Sequence, residues 1–373
     1  MDFSFSEEQT AVVEAAEKLF TGHLTDERRA QVQAADEGID RDLWAALADA
    51  NLLGLAVDES DGGSGYGFAE VAILLEQAGL AAAPVPLWAS LVLGGLPVAA
   101  YGSESMRREL LAPLCNGTEI LTAALTEVGS RPTQPLTTAR KDANGWILHG
   151  SKTCVPAGLI ADHVLVPATT GEGEVTIFVV DPRAAGVERT RLETTTGIPE
   201  ARIDLDGAVV GDDRILGGQG GGREILEWLL PRATAGLCSL MAGTCKAAVD
   251  LTATYAAGRQ QFGRIIATFQ AVGQRAADAY IDAEAVQLTA RQAVWRLSDG
   301  RDADEQVAIA KFWAAEGGQR VVHAAQHIHG GVGVDRSYPL HRYFLAAKQL
   351  ELTLGGATQS LVGLGAMMAA RPA

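Results

Sequence analysis

Basic residues are scarce in this chain, and so is cysteine. Lys and Arg number 30 against 46 Asp and Glu in 373 residues, a net charge of −16. Sequence-independent nucleic-acid binding needs a basic surface, so that class is excluded. Any polyanionic ligand must then be held by local arginines and lysines or by backbone N–H groups. The four cysteines, Cys115, Cys154, Cys238 and Cys245, form no C-x-x-C pair and have no histidine at ligand spacing, which argues against zinc. Cys238 and Cys245 could share a helix face and are read as small buried thiols. A basic n-region is missing too. The chain opens MDFSFSEEQ, with acids where a secretory signal carries Lys or Arg, so a reducing, cytoplasmic setting is expected. Uninterrupted apolar runs are also lacking. Gln77 to Ser103 is free of charge and long enough to span a bilayer, but Pro84, Pro86 and Pro97, with Gly94 and Gly95, interrupt it. A short buried helix with flanking turns is expected there, and no membrane span. No internal repeat and no low-complexity tail are present.

What remains is an ordinary globular composition, 47% hydrophobic and 20% charged, long enough for one large core or two to three smaller ones. Residues 1 to about 118 read as helical. Ser6 with Glu8 and Gln9 caps the amphipathic run SEEQTAVVEAAEKLF, DRDLWAALADANLLGLAV repeats the pattern, and DESDGGSGYGF reads as a loop. From about 119 to 222 the runs are short and β-prone: ILTAALTE, GWILHGSKTCV, HVLVPATT and EVTIFVVD. Asp142-Ala143-Asn144-Gly145 predicts a hairpin in which Asn-Gly takes positive φ angles. GGQGGGRE reads as a hinge. Four periodic stretches follow, 223–258, 265–298, 303–328 and 338–369, as in an antiparallel four-helix bundle.

Two motifs carry chemistry. Arg259-Gln260-Gln261-Phe262-Gly263-Arg264-Ile265-Ile266, then Phe269-Gln270, offers a guanidinium able to form bidentate, charge-assisted bonds to phosphate. Its plain alternative is a helix-ending turn whose arginine caps carbonyls and whose Phe fills the core. His327-Ile328-His329-Gly330-Gly331-Val332-Gly333 is glycine-rich enough to bring backbone N–H groups against a phosphate. Its plain alternative is a glycine C-cap.

With these motifs, and with the order helices, β-runs, helices, nearly the whole chain resembles the acyl-CoA dehydrogenases. The first motif is similar to the family's R-x-Q-F-G-x-P-I-x-x-F-Q and the second to its Q-x-H-G-G-x-G, with His327 where Gln is usual. The resemblance implies an α+β fold of three parts: an N-terminal helical domain (1–118), a middle β-barrel domain (119–222) and a C-terminal four-helix bundle (223–373). It implies FAD as cofactor and acyl-CoA as substrate. In the family the first turn crosses a subunit interface, so Arg259 would meet the diphosphate of a neighbour's FAD. Gln261, Phe262 and Gln270 would join it around the adenosine part, and His327, Gly330 and Gly331 would contact the diphosphate.

Other family features are missing. The acidic residue that removes the substrate α-proton, just before a Gly-Thr pair, is replaced by Gly355, followed by Gly356 and Ala357. The alternative location, Trp228 to Val249, contains no Asp or Glu, and Glu224, Glu227 and Glu351 read as solvated or salt-bridged helix residues. The flavin-holding T-E-P-G-x-G-S-D loop keeps Thr126-Glu127 but continues Val128-Gly129-Ser130-Arg131-Pro132, so its serine and aspartate are gone. The K-x-W-I-T-N strand reads Lys152-Thr153-Cys154-Val155-Pro156-Ala157, which loses the aromatic wall and, at Pro156, a backbone donor.

Together with FWAAEGGQRVVHAAQHIHGGVGVDRSYPLHRYFLAAKQ and the L-G-G-A-T ending, this pattern resembles the base-lacking subunit of heterotetrameric dehydrogenases that desaturate steroid-CoA side chains, as in cholesterol catabolism. That resemblance implies a homologous catalytic partner subunit and electron-transfer flavoprotein as acceptor. Two alternatives stay open: a homo-oligomeric flavoenzyme with a displaced base, and a flavin-free structural or acyl-binding subunit.

Overall fold

The computed structural model describes residues 4–171 and 173–370; the first three residues, on which part of the N-terminal reading rests, lie outside them. Capping chemistry starts the first helices. Ser6 Oγ accepts from the Gln9 N–H and Gln9 Oε1 accepts from the Ser6 N–H, both at 3.2 Å, a reciprocal capping box that opens α1 (Glu7–His23). Thr25 caps α2 (Asp26–Ala34), and Asp40 caps α3 (Arg41–Asp49) while Arg28 grips its buried carboxylate at 2.5 and 2.8 Å. Then come α4 (Phe68–Ala81), a π-helical stretch Trp88–Gly95 running into α5 (Leu96–Tyr101), and α6 (Glu104–Cys115). The charge-free segment is thus the expected buried helix, and no helix among the described residues is long and apolar enough to cross a membrane.

The chain divides into two compact units. One, residues 22–71 and 84–233, holds the sheet. Its strands are β1 (Leu121–Ala123), β2 (Thr138–Asp142), β3 (Gly145–Pro156), β4 (His163–Thr170), β5 (Glu174–Val180), β6 (Val187–Leu192), β7 (Glu200–Val210) and β8 (Ile215–Leu216). They run β6-β7-β3-β2-β4-β5-β8, with β1 parallel to β4, and no described pairing joins β6 to β8. Alternation buries one face, as in β7, where Ala201, Ile203 and Leu205 point inward. The hairpin joining β2 and β3 falls where expected, but its turn chemistry differs. Positive φ occurs at Gly145 (133°) and not at Asn144, because the Asp142 carboxylate closes the turn by accepting from the Asn144 N–H at 2.7 Å.

The other unit comprises residues 1–21, 72–83 and 234–373 within the described range. It receives most of α7 (Gly222–Gly258), whose first turns belong to the sheet-bearing unit. In the glycine run that precedes and opens α7, a Cβ on Gly222 would stand 2.7 Å from the Val175 carbonyl oxygen, whereas one on Gly218 would meet nothing within 4 Å. After α7 come a hairpin of β9 (Gln260–Gln261) and β10 (Arg264–Ile265), then α8 (Gln270–Ser298). Next, α9 (Asp304–Phe312) continues through a π-helical turn into α10 (Gly318–His329). The last expected helix is two, α11 (Leu340–Leu352) and α12 (Ala357–Ala369). Leu354 and Gly355 take φ values of 56° and 106°, which no helix tolerates. Lys311, buried between the helices, caps the break by donating from Nζ to the carbonyls of Leu350 (2.7 Å) and Glu351 (3.2 Å).

Candidate functional site

At the end of α7 the chain reverses within two residues. The Arg259 N–H still bonds the Tyr255 carbonyl at 2.9 Å, and the Ile266 N–H returns to the Arg259 carbonyl at 2.8 Å. Phe262 and Gly263 form the tip with φ of 54° and 79°, the left-handed pair that a two-residue hairpin demands. For Phe this conformation costs about 1–2 kcal/mol. The ring recovers nothing from the core, since Phe262 is 93% exposed.

The hairpin stands on a small apolar cluster. Ile266, Ala256 and Ile328 form its buried centre, with Tyr255 and Phe269 packed against it. Ile328, in the last turn of α10, belongs to the glycine-rich motif, so the two motifs separated by some sixty residues share one foundation. His329 completes the joint. It stacks on Tyr255 at 4.3 Å, its Nδ1 lies 2.8 Å from the Ala325 carbonyl, and its Nε2 lies 3.1 Å from the Tyr338 hydroxyl. Burial pushes its imidazole pKa down, and the neutral Nδ1–H tautomer matches both partners. His327, two positions earlier, is exposed. Gly330 ends α10 at φ 60°, ψ −136°, a conformation open to glycine. Gly331 is different: a Cβ there would meet nothing within 4 Å, so contacts inside this chain do not require a glycine.

Charge singles out the same region. Within residues 234–370 most basic side chains are engaged. Lys246, Arg291, Arg301, Arg320 and Lys348 meet carboxylates, while Arg296 and Lys311 meet carbonyls. The Arg259 side chain, exposed at the hairpin base, has no hydrogen bond or ion pair among the described residues. It is therefore no carbonyl cap, and Phe262 is no core residue. Gln261 and Gln270 are likewise exposed, Gln261 touching only the Gln260 carbonyl. Arg259, Gln261 and Phe262 lie on the α7–α8 connection and Gln270 opens α8, while His327 lies in the last turn of α10 and Gly330 and Gly331 on the α10–α11 connection.

The sheet-bearing unit explains what the retained Thr126-Glu127 and Lys152-Thr153 do. Glu127 and Lys152 form a buried pair at 2.5 Å, side chains 3% and 1% exposed. The carboxylate also accepts from the Thr137 N–H and hydroxyl, the Leu136 N–H and the Ser130 hydroxyl. Burial raises the Glu127 pKa, but these donors outweigh it and hold the group at about 2. The Thr153 N–H bonds the Thr126 carbonyl at 2.9 Å. These four residues thus stitch the loop to β3. Beside them the β3–β7 register shifts between Lys152 and Val155, a bulge that holds Cys154 exposed at φ 49°. Sequence reading missed this internal role, although a buried Lys needs a carboxylate and Glu127 is the acid that the same motif pair retains.

Among the described residues, none of Thr353 to Gly356 at the α11–α12 break is acidic; Glu351 just before it pairs with Lys348 at 2.6 Å, and Glu224 and Glu227 are exposed. Cys238 and Cys245 are buried free thiols whose pKa values burial drives up.

Family models match almost end to end: the acyl-CoA dehydrogenase N-terminal domain over residues 6–118, the middle domain over 122–206 and the C-terminal domain over 220–368. The chain belongs to the acyl-CoA dehydrogenase family. It is 38% identical over 382 residues to acyl-CoA dehydrogenase FadE27 of Mycobacterium tuberculosis, covering 100% of both chains. Among solved structures, the ChsE4-ChsE5 complex of the same organism matches with TM-score 0.94 and 39% identity over 100% of both chains. A variant of the Tcur3481-Tcur3483 steroid acyl-CoA dehydrogenase matches with TM-score 0.90 and 41% identity over 97% of this chain and 98% of that one. Members of the family are FAD flavoproteins, and this chain is related to subunits of heteromeric steroid enzymes.

The residues fit that cofactor unequally. A free guanidinium beside a glycine turn open to solvent suits a diphosphate. The β3 bulge offers neither an aromatic side chain at Cys154 nor a backbone donor at Pro156, and so does not suit a flavin ring.

Proposed function

We propose that this chain is the base-lacking subunit of a heteromeric FAD-dependent acyl-CoA dehydrogenase, and that it completes the FAD site of a homologous catalytic partner. The observation that carries the reading is a contrast. Arg259 is held out, unpaired, on a hairpin whose tip exposes Phe262, while the chain's own flavin-facing strand and base position are altered. When bound, FAD would supply the acceptor for the hydride lost from the acyl β-carbon. Arg259 would hold the diphosphate by charge-assisted bonds, with the glycine turn and His327 beside it, while Gln261, Phe262 and Gln270 flank the adenosine part. The α-proton would be taken by a carboxylate of the partner, since none stands at Gly355. Steroid-CoA thioesters are the proposed substrates, in keeping with the steroid enzyme among the structural relatives, and electron-transfer flavoprotein is the proposed acceptor.

The test is co-purification. A tagged copy expressed with neighbouring acyl-CoA dehydrogenase genes should draw down one homologous subunit, yield a yellow complex and desaturate a steroid-CoA. A yellow, active homo-oligomer from this chain alone would overturn the proposal.

A further inference from the structure

The family signature contains one arginine, but the hairpin carries two on the same face. The register pairs Gln261 with Arg264 and Gln260 with Ile265, and the Ile266 N–H extends the ladder to the Arg259 carbonyl. Cross-strand partners project from the same side of a ribbon and neighbours alternate, so Arg259, Gln261, Arg264 and Ile266 share one face. Ile266 on that face is buried with Ile328, in the last turn of α10 just before the glycine turn. The face with both arginines is therefore the one that packs toward the end of α10, from which the glycine turn leaves.

Arg264 is also held in place. Its guanidinium carbon lies 4.2 Å from the centroid of the Phe269 ring, and that ring packs against the Ile266–Ile328 cluster and stands edge-on to Phe262 at 6.2 Å. Stacking occupies the flat face of a guanidinium and leaves its N–H edge free. No carboxylate or carbonyl takes that edge among the described residues, in a chain whose net charge is −16. A stacked, exposed, unpaired arginine two strand positions from Arg259 is preorganised for an anion.

We propose that Arg264 is a second phosphate-binding residue, and that Arg259 and Arg264 together clamp a diphosphate over the glycine turn. The inference rests on the function proposed above, in which Arg259 meets the partner's FAD. The two arginines would then engage both phosphates, a task for which one planar fork has too few well-aimed donors.

The experiment titrates the apo form of the co-purified complex with FAD by flavin fluorescence, for wild type, R259A, R264A and R264K, with assembly followed by size exclusion. Arg264 is exposed, so its variants should assemble normally. R264A is expected to weaken FAD binding about tenfold or more, as for loss of a charge-assisted bond, with R264K recovering part. R264A should also lower the salt dependence of FAD affinity relative to wild type. Weakening by R259A with no change in R264A overturns the clamp and leaves the half-site reading intact. No change in either variant overturns both. A fall in melting temperature in R264A with unchanged FAD affinity would make the Phe269 stack structural only, and would equally overturn the clamp.

Discussion

Replacing Arg259 removes a side chain that does nothing visible for its own chain. Arg259→Ala should therefore leave the melting temperature unchanged and weaken FAD retention in the complex by roughly 1.5–3 kcal/mol, tenfold to a hundredfold. Flavin content after dialysis measures this, and unchanged retention would remove Arg259 from the site. Gly355 lies at φ 106°, and a Cβ there would sit 2.7 Å from Gln359 Oε1. Gly355→Glu is thus expected to cost about 1–3 kcal/mol of stability and, on the proposed function, to add no turnover, because β3 offers a flavin neither an aromatic side chain at Cys154 nor a backbone donor at Pro156. Turnover and flavin both doubling would mean that Cys154 and Pro156 permit a flavin after all. Glu127 gives a pH prediction. Its folded pKa, about 2, lies below the ordinary 4.5, so its contribution is complete above the unfolded value and lost as pH falls from there toward 2. Glu127→Gln leaves the Lys152 ammonium buried without its counter-charge and should cost about 3–5 kcal/mol at neutral pH, with a flatter acid limb in denaturant titrations. At this scale the sequence was legible where motif and exposure agree, as at Arg259 and Phe262. It was not legible at Glu127 or Arg264, because pairing and stacking depend on neighbours distant in sequence or on a register that residue types do not announce.

Helix α12 poses the main question at the level of elements. It has no charged residue and no buried one, and Leu361, Val362 and Met368 are 48%, 67% and 56% exposed. The N-terminal half of α8, although charged, also exposes large apolar side chains, Tyr280 and Ile281. Burying each such side chain is worth roughly 1.5–3 kcal/mol, so a second subunit covering them would gain appreciably. Val362→Asp should leave the isolated chain folded but dissociate the complex, read by light scattering on a sizing column. An unaltered complex would show that α12 faces solvent. Periodicity located every helix of this bundle because the 3.6-residue pattern survives burial on one side. It ran α11 and α12 together because the break depends on Leu354 adopting positive φ and on Lys311 capping from another helix. The Asn144–Gly145 hairpin was likewise located, while its φ pattern was set by the Asp142 side chain.

Across the whole molecule, order of elements was legible almost throughout, since a switch from helical to β periodicity and back is a long-range signal that single substitutions do not erase. What a lone sequence conveys poorly is which missing group matters. The absent base at Gly355 reads directly, whereas the altered β3 surface becomes physical only when the bulge at Cys154 is seen. The central claim is that this chain lends half an FAD site and has none complete of its own. Flavin stoichiometry tests it most directly: FAD released by denaturation, counted per polypeptide, for the chain purified alone and for the complex with its partner. The account predicts almost none in the chain alone and one FAD for each pair of unlike subunits in the complex. One FAD per copy in the chain purified alone, or two FAD for each pair of unlike subunits in the complex, would contradict it.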